Sequence, residues 1–324
     1  MKVGFKMLMA SLVGLMLAGA AHAQYPSRQM NMVVAFPAGG PSDVVARVMS
    51  KAISEQTNQP VIVENVVGVG GSLGVLKVAN ATADGHTILA GSPLELIYTP
   101  LGVAAAKNKP EDMRMAALMG RTVMVIAVRK DLPVNTMAEF VEYAKKADKP
   151  LAFGSTGVGS LYHLMAEDAA KIGGFKALHA PYNGLAPYLK DLMGGVLDWA
   201  VLPAAGPVPG AIDGGQIKAI AVVSPAPIAR LPKVPSIRET SGYGNYDYSI
   251  WIGLQVSKNT PDAIAASLNS AVLAALAKPE VRKSVEAAGV VLAPPMTLGR
   301  LDSFYKDEIA AGAAVAKTVG LKPQ

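Results

Sequence analysis

Apolar positions fall into short solid runs and longer periodic stretches, and the two alternate along the chain. Residues 31–36 form a solid run with the length of a buried strand. Pro41 follows, a residue suited to a first helical turn because its missing N–H has no partner there. Val44, Val45, Val48, Met49 and Ile53 then recur at helical spacing. Residues 60–65 and 87–90 predict two more strands, with a helix over 75–81 between them. This alternation predicts a parallel sheet with helices on both faces.

The same signals continue downstream. Residues 121–128 read as a long strand, and Thr136 with Glu139 makes a capping box for a helix to about 147. A strand over 151–153 leads into Gly157-Val158-Gly159-Ser160 and a helix with Leu161, Leu164, Met165, Ala169 and Ile172 on its inner face. A short helix over 186–193 stops at Gly194-Gly195, and strands follow over 196–201 and 217–223. Thr260-Pro261 opens a helix striped by Ile264, Leu268, Val272 and Leu276. Helices over 279–288 and 301–319 close the chain. Strand, glycine-rich loop and helix thus occur twice, at 36–42 and at 155–160, too far apart for neighbours in one small sheet. Two α/β lobes are expected, each with such a loop at the carboxyl end of a strand, where open sheets bind ligands. Amides at the start of the following helix suit an anion.

Composition sharpens this reading. With 324 residues, 51% of them hydrophobic, the chain can bury a sizeable core in two domains. The first 23 residues stand apart: Lys2 and Lys6, an apolar stretch over 7–19, then Ala21-His22-Ala23. This is the layout of a secretory signal peptide, too short to span a bilayer, with a mature chain expected from Gln24. There is no cysteine, hence no lipid-anchoring cysteine, disulfide, thiol nucleophile or thiolate metal site. A periplasmic product is expected. The net charge of +6 is scattered, without the basic stripe and interleaved aromatics of a nucleic-acid binder.

Motifs of nucleotide and catalytic chemistry do not survive inspection. Leu73 stands where Gly68-x-Gly70 would need its third glycine, and Tyr162 does so after Gly157-x-Gly159. Gly70-Gly71-Ser72-Leu73-Gly74 matches a nucleophile elbow only in letters, since Val66 to Val69 separate it from its strand; a turn seating a helix on the sheet is the simpler reading. His163 and Glu167 are one helical turn apart, the spacing of a surface pair. No catalytic residue, metal ligand or cofactor is expected. A binding protein is the favoured class.

At this point the chain resembles the Bug receptors, extracytoplasmic solute-binding proteins of tripartite tricarboxylate transporters. The resemblance rests on ordered motifs: Phe36-Pro37-Ala38-Gly39-Gly40-Pro41-Ser42-Asp43 with Ala46-Arg47; Val63-Glu64-Asn65 with Gly68 and Gly70-Gly71; Asp84-Gly85-His86-Thr87; Gly157-Val158-Gly159-Ser160 with His163-Leu164 and Glu167; His179-Ala180-Pro181-Tyr182 with Gly184 and Ala186-Pro187; and Leu231-Pro232 with Val234-Pro235-Ser236. It implies a two-lobed periplasmic-binding-protein fold of type II-like plan, each lobe a mostly parallel sheet with flanking helices. Lobe 1 is expected over 24–124 and 249–324 and lobe 2 over 125–248, with crossings near 122–128 and 246–254.

The ligand implied is a small carboxylate: a di- or tricarboxylate, an acidic amino acid or an aromatic acid, held by backbone amides and waters. The contacts implied are Phe36, Ala38, Gly39, Ser42 and Asp43 from lobe 1. From lobe 2 they are Thr156, Gly157, Gly159, Ser160, His163, Tyr182, Asn183 and Gly184. Asp43 is expected to order its loop, His163 to brace the second loop, and Leu202-Pro203 to supply an apolar wall. A monomer delivering to the transporter's membrane subunits is implied. Departures occur at Ala38, Val66-Val67, Thr99-Pro100 and Asn183, the last two bearing on specificity. Two rival readings remain: a ligand sensor docking on a membrane histidine kinase, and a secreted serine hydrolase built on Ser72 or on Ser160 with His163.

Overall fold

Solid apolar runs become strands, and the periodic stretches become helices laid over them. The computed structural model describes residues 25–321 apart from 183, 229, 247, 249 and 319, together with 323. The expected signal segment lies outside the described residues.

The first lobe starts with β1 (Met30–Val34), α1 (Pro41–Thr57), β2 (Val61–Asn65), α2 (Ser72–Ala79) and β3 (Thr87–Gly91). A π-turn over Leu94–Tyr98 runs into the short α3 (Thr99–Gly102), and β4 (Met113–Thr122) follows. The second lobe holds β5 (Met124–Arg129), α4 (Met137–Lys146), β6 (Leu151–Ser155), α5 (Leu161–Gly173), β7 (Ala177–Pro181), α6 (Leu185–Met193), β8 (Trp199–Pro203), α7 (Val208–Asp213) and β9 (Ile217–Val223). The chain then returns to the first sheet through β10 (Ile250–Ser257), α8 (Asp262–Ala277), α9 (Pro279–Ala287), β11 (Val290–Leu292) and α10 (Leu298–Thr318).

Two sheets result, ordered β11-β4-β10-β3-β1-β2 and β7-β6-β8-β5-β9. The parallel parts are β2-β1-β3 in the first and β7-β6-β8 in the second. β10 runs antiparallel to β3 and β4, and β5 runs antiparallel to β8 and β9, so both sheets are mixed. β5 and β10, the strands that follow the two crossings, each run against the parallel set of their sheet.

The run expected as one strand over 121–128 is divided. β4 ends at Thr122, β5 begins at Met124, and only Val123 stands between the two sheets. Most of β4 lies upstream of the expected run, in Met- and Ala-rich sequence of low β-propensity; burial on both faces makes it a strand. β7 and β11 are edge strands outside the expected set: β7 has no solid apolar run, and β11 is only three residues long. In α5, Ile172 faces outward, 38% exposed, while Leu161, Leu164, Met165 and Ala169 are buried as expected. Thr136 caps α4 by accepting the Glu139 N–H, but the Glu139 carboxylate takes the Asn135 N–H instead of closing the box. The helix expected from Thr260-Pro261 begins at Asp262 without a side-chain cap.

The outer core of the first lobe joins β1, β3 and β10 to α1, α8 and α9 through Met32, Met49, Ile53, Ile88, Leu254, Val272 and Val285. A second core runs on from the first sheet into the second lobe, around Phe140, Phe153, Trp199 and Trp251. On the return path the hydroxyls of Tyr243 and Tyr246 donate to the Ala169 and Met165 carbonyls of α5, and Tyr248 donates to Asp168. This strap ties the second crossing to the helix that starts at the second glycine-rich loop.

Candidate functional site

β1 ends in the first loop, and that loop is organised by one carboxylate. Asp43 is buried in the first turn of α1. Its Oδ2 accepts the Gly39 N–H at 2.9 Å, and its Oδ1 accepts from Asn65 Nδ2 at 2.9 Å. Arg47, one turn along, donates to both oxygens. Asn65 also donates to the Phe36 carbonyl, so the end of β2 clamps both sides of the loop. Burial alone would raise the Asp43 carboxyl; the Arg47 guanidinium, the Gly39 N–H and the Asn65 amide outweigh it and hold it below its ordinary value. Gly39 adopts φ 91°, open to glycine at little cost.

The second loop is braced from behind. Ser155, fully buried at the end of β6, receives the Gly157 N–H and donates to the Gly157 carbonyl. His179 Nε2 lies 2.7 Å from the same Oγ. The Gly159 N–H donates to His163 Nδ1 at 3.1 Å, and the Ser160 hydroxyl caps α5 by accepting the His163 N–H. The His163 and His179 rings stack at 4.0 Å. Burial lowers the pKa of His163. Burial, with the field of His163, pushes His179 down to about 4. Both imidazoles are therefore neutral at pH 7, as an accepting Nδ1 on His163 requires.

Between the lobes lies a cleft of about 860 Å³ lined by both loops. Three helices begin on it. α1 starts after Gly40 and α6 after Gly184, neither with a side-chain cap, while α5 starts after Ser160. The first turn of a helix leaves N–H groups without backbone acceptors. Here these belong to Ser42 and Asp43, to Leu161 and Tyr162, and to Leu185 and Ala186, with no acceptor among the described residues. All six residues line the cleft. Among the described residues no lysine or arginine lines it, and the one charged lining residue, Asp43, is already saturated. Phe36, Leu94, Val103, Pro203, Ile250 and Ile252 make much of the wall apolar. Such a cleft suits a negative group held by main-chain donors and the helix dipoles, with a hydrocarbon body beside it.

Phe36, Ala38, Gly39, Ser42 and Asp43 from the first loop line this cleft, and so do Thr156, Gly159, Ser160 and Gly184. Gly157, His163 and Tyr182 are not among the lining residues: the Gly157 N–H is turned to Ser155 Oγ, His163 Nδ1 takes the Gly159 N–H, and Tyr182 donates to Asp191. Asn183 lies outside the described residues. Pro203 contributes to the wall, while Leu202 is sealed in the core of the second lobe. Gly68, Gly70 and Gly71 also reach the cleft, as do Tyr98 and Thr99. The Thr99 hydroxyl donates to the Gly70 carbonyl, joining the start of α3 to that glycine turn. The expected packing role of the turn holds as well, since a Cβ on Gly74 in α2 would meet Ala35 Cα, just past the end of β1, at 3.0 Å. Two signals marked these extra walls: the dense glycines and the unusual Thr99-Pro100 pair.

The serines of the hydrolase reading are differently placed. Ser72 is buried with its Oγ near the Lys107 N–H. Ser160 bonds the backbone of His163, and the imidazole is turned to Gly159. His163 Nε2 lies 3.7 Å from Glu167. Among the described residues no cluster of three or more metal-ligating side chains occurs, and no helix is long and apolar enough to cross a membrane.

The fold recurs in known proteins. The UPF0065 protein of the TAR-I ttuE-ttuC' intergenic region of Agrobacterium vitis is 34% identical over 313 residues, covering 95% of this chain and 90% of that one. The structure of the periplasmic binding protein BugD superposes with a TM-score of 0.79 at 30% identity, covering 93% of this chain and all of that one. An R. palustris protein solved with adipate gives a TM-score of 0.83 at 28% identity, again over 93% of this chain and all of the other. Residues 45–321 match the profile of the tripartite tricarboxylate transporter family receptors. With two mixed-sheet lobes, a cleft between them and a match across most of its length, the chain belongs to this family of periplasmic solute-binding receptors.

Proposed function

We propose that this protein captures a small carboxylate in the inter-lobe cleft and delivers it to the membrane subunits of a tripartite transporter. One observation carries the reading: six first-turn amides without acceptors, two from each of α1, α5 and α6, belong to residues that line a cleft with no cationic side chain among the described residues. A carboxylate is the small anion that such donors and an apolar wall select together. The adipate seen in a structural neighbour is of this kind. The binding contacts are assigned to both loops, Phe36 to Asp43 and Thr156 to Ser160, with Gly184. Gly157 and His163 act through the second loop. The first 23 residues direct export. No catalytic step is assigned to the cleft.

Thermal unfolding with a panel of mono- and dicarboxylates, each paired with its amide, tests this. A matching acid raises the melting temperature and its amide does not. A panel in which no acid shifts the transition, or in which amide and acid shift it alike, overturns the reading.

A further inference from the structure

Gly102, the last residue of α3, touches Gly159 of the second loop, backbone to backbone, across the divide between the sheets. Both glycines are buried. A Cβ on Gly102 would lie 2.9 Å from Gly159 Cα and 3.0 Å from its carbonyl oxygen. A Cβ on Gly159 would lie 2.8 Å from Gly102 Cα. Carbon atoms rest about 3.5–4.0 Å apart, so a methyl group at either position forces the two chains to separate.

The two glycines differ in what their own lobe demands. Gly159 has φ +77°, so glycine is already favoured there. Gly102 has no left-handed backbone, and the three atoms its Cβ would meet first all belong to Gly159. What bars a side chain at 102 most closely is therefore the other lobe. Neighbours on both sides of the seam, Thr99 and Val103 on one and Val158 and Ser160 on the other, line the cleft. Each side is fixed: Thr99 is bonded to Gly70, and Gly159 to His163. The lobes also meet where β11 begins, with Gly289 against Ala204 and Ala205, close to Val123. That contact lies beside the crossing, whereas the Gly102–Gly159 seam lies at the cleft, between α3 and the second binding loop.

We infer that Gly102 is a positioning residue for ligand capture: its missing side chain sets how closely the lobes approach. This rests on reading the cleft as a ligand trap. A methyl group at 102 holds the amides of α1 back from those of α5 and α6, and a ligand bridging them loses one set of bonds.

The absence of cysteine lets spin labels be placed at will. Lys51→Cys on α1 and Lys190→Cys on α6 are exposed sites on opposite lobes. Double electron–electron resonance is run on this pair without ligand and with excess adipate, in the parent, in Gly102→Ala and in the exposed control Gly299→Ala. The parent and control show a compact population in at least one sample. Gly102→Ala loses it in both, keeps its ligand-free melting temperature within a few degrees, and binds any acid that the parent binds at least tenfold more weakly. The inference is overturned if compact distances persist in Gly102→Ala, if its ligand-free protein melts far below the parent, or if the parent is never compact. A parent that is compact without ligand and unmoved by the whole acid panel counts against carboxylate capture alone, since the seam is still read from the ligand-free distances.

Discussion

The Gly39 N–H is spent on Asp43 Oδ2, 2.9 Å away, and is not an open donor in the cleft. Asp43 therefore shapes the first loop from beneath. Asp43→Asn keeps the volume but puts an amide where Arg47, Gly39 and Asn65 all donate. The change should cost about 1–3 kcal/mol and weaken ligand binding. Because the folded carboxyl is held below its ordinary value of 3.8, its contribution is present above that pH and is lost as the pH falls through the folded value. The gap in melting temperature between parent and variant should thus close in strong acid. A gap that stays constant would show that the charge is not what matters.

Gly40→Ser separates the two roles of the start of α1. Gly40 has φ −75°, and a Cβ there would meet only the Pro37 carbonyl, at 3.9 Å. Serine is a better N-cap than glycine by a few tenths of a kcal/mol. Its hydroxyl would accept an amide that the bound anion otherwise uses. Stability should hold or rise while affinity falls, as measured by unfolding and titration calorimetry on the same sample. Unchanged affinity would remove α1 from the anion site.

The stacked histidines predict an acid limit. His163 and His179 are held neutral by burial, with His179 lowered to about 4. The unfolded chain takes up these protons first, so stability falls as the pH drops from about 6.5 toward those folded values. Protonation of His163 Nδ1 also removes the acceptor of the Gly159 N–H. Ligand affinity should be flat near neutrality and decline in acid. His163→Phe should weaken binding at pH 7 and flatten that acid decline. An equally steep decline in the variant would place the sensitive group elsewhere.

Glu95 should act in the opposite sense. It is fully buried in the π-turn behind the cleft wall, and burial raises its carboxyl to about 7 despite bonds from the Ser92 N–H and hydroxyl. Folded protein keeps this proton where the unfolded chain has lost it. Stability falls as the pH rises from 4.5 to about 7 and is level beyond. Glu95→Gln should melt close to the parent near pH 4 and above it at pH 8. A lower melting temperature at pH 8 would mean that the ionised form is the stabilising one.

Much of the fold is legible because its signals are local. A solid run before a glycine turn, and Val45, Met49 and Ile53 at helical spacing after it, are enough to place β1 and α1. The same reasoning places β6 and α5. β4 hides because Met113, Met115, Ala116, Ala117 and Met119 carry no strand preference. In the cleft, loops marked by glycine are visible in advance. The walls from Leu94, Ile250 and Ile252 are not, since they meet the loops only through sheet topology. The backs of the loops are equally hidden: nothing in the spacing of Ser155 and His179 shows that they touch.

The helix starts around the cleft have one more consequence. Proline apart, a main-chain hydrogen is the same whichever side chain its residue carries, so the attraction for negative charge is written in helix placement more than in residue identity. Substitution at Leu94, Val103 or Ile250 can reshape the space for the rest of a guest without touching that attraction. One scaffold can in this way change its cargo by small steps and never pass through a form that has lost its grip.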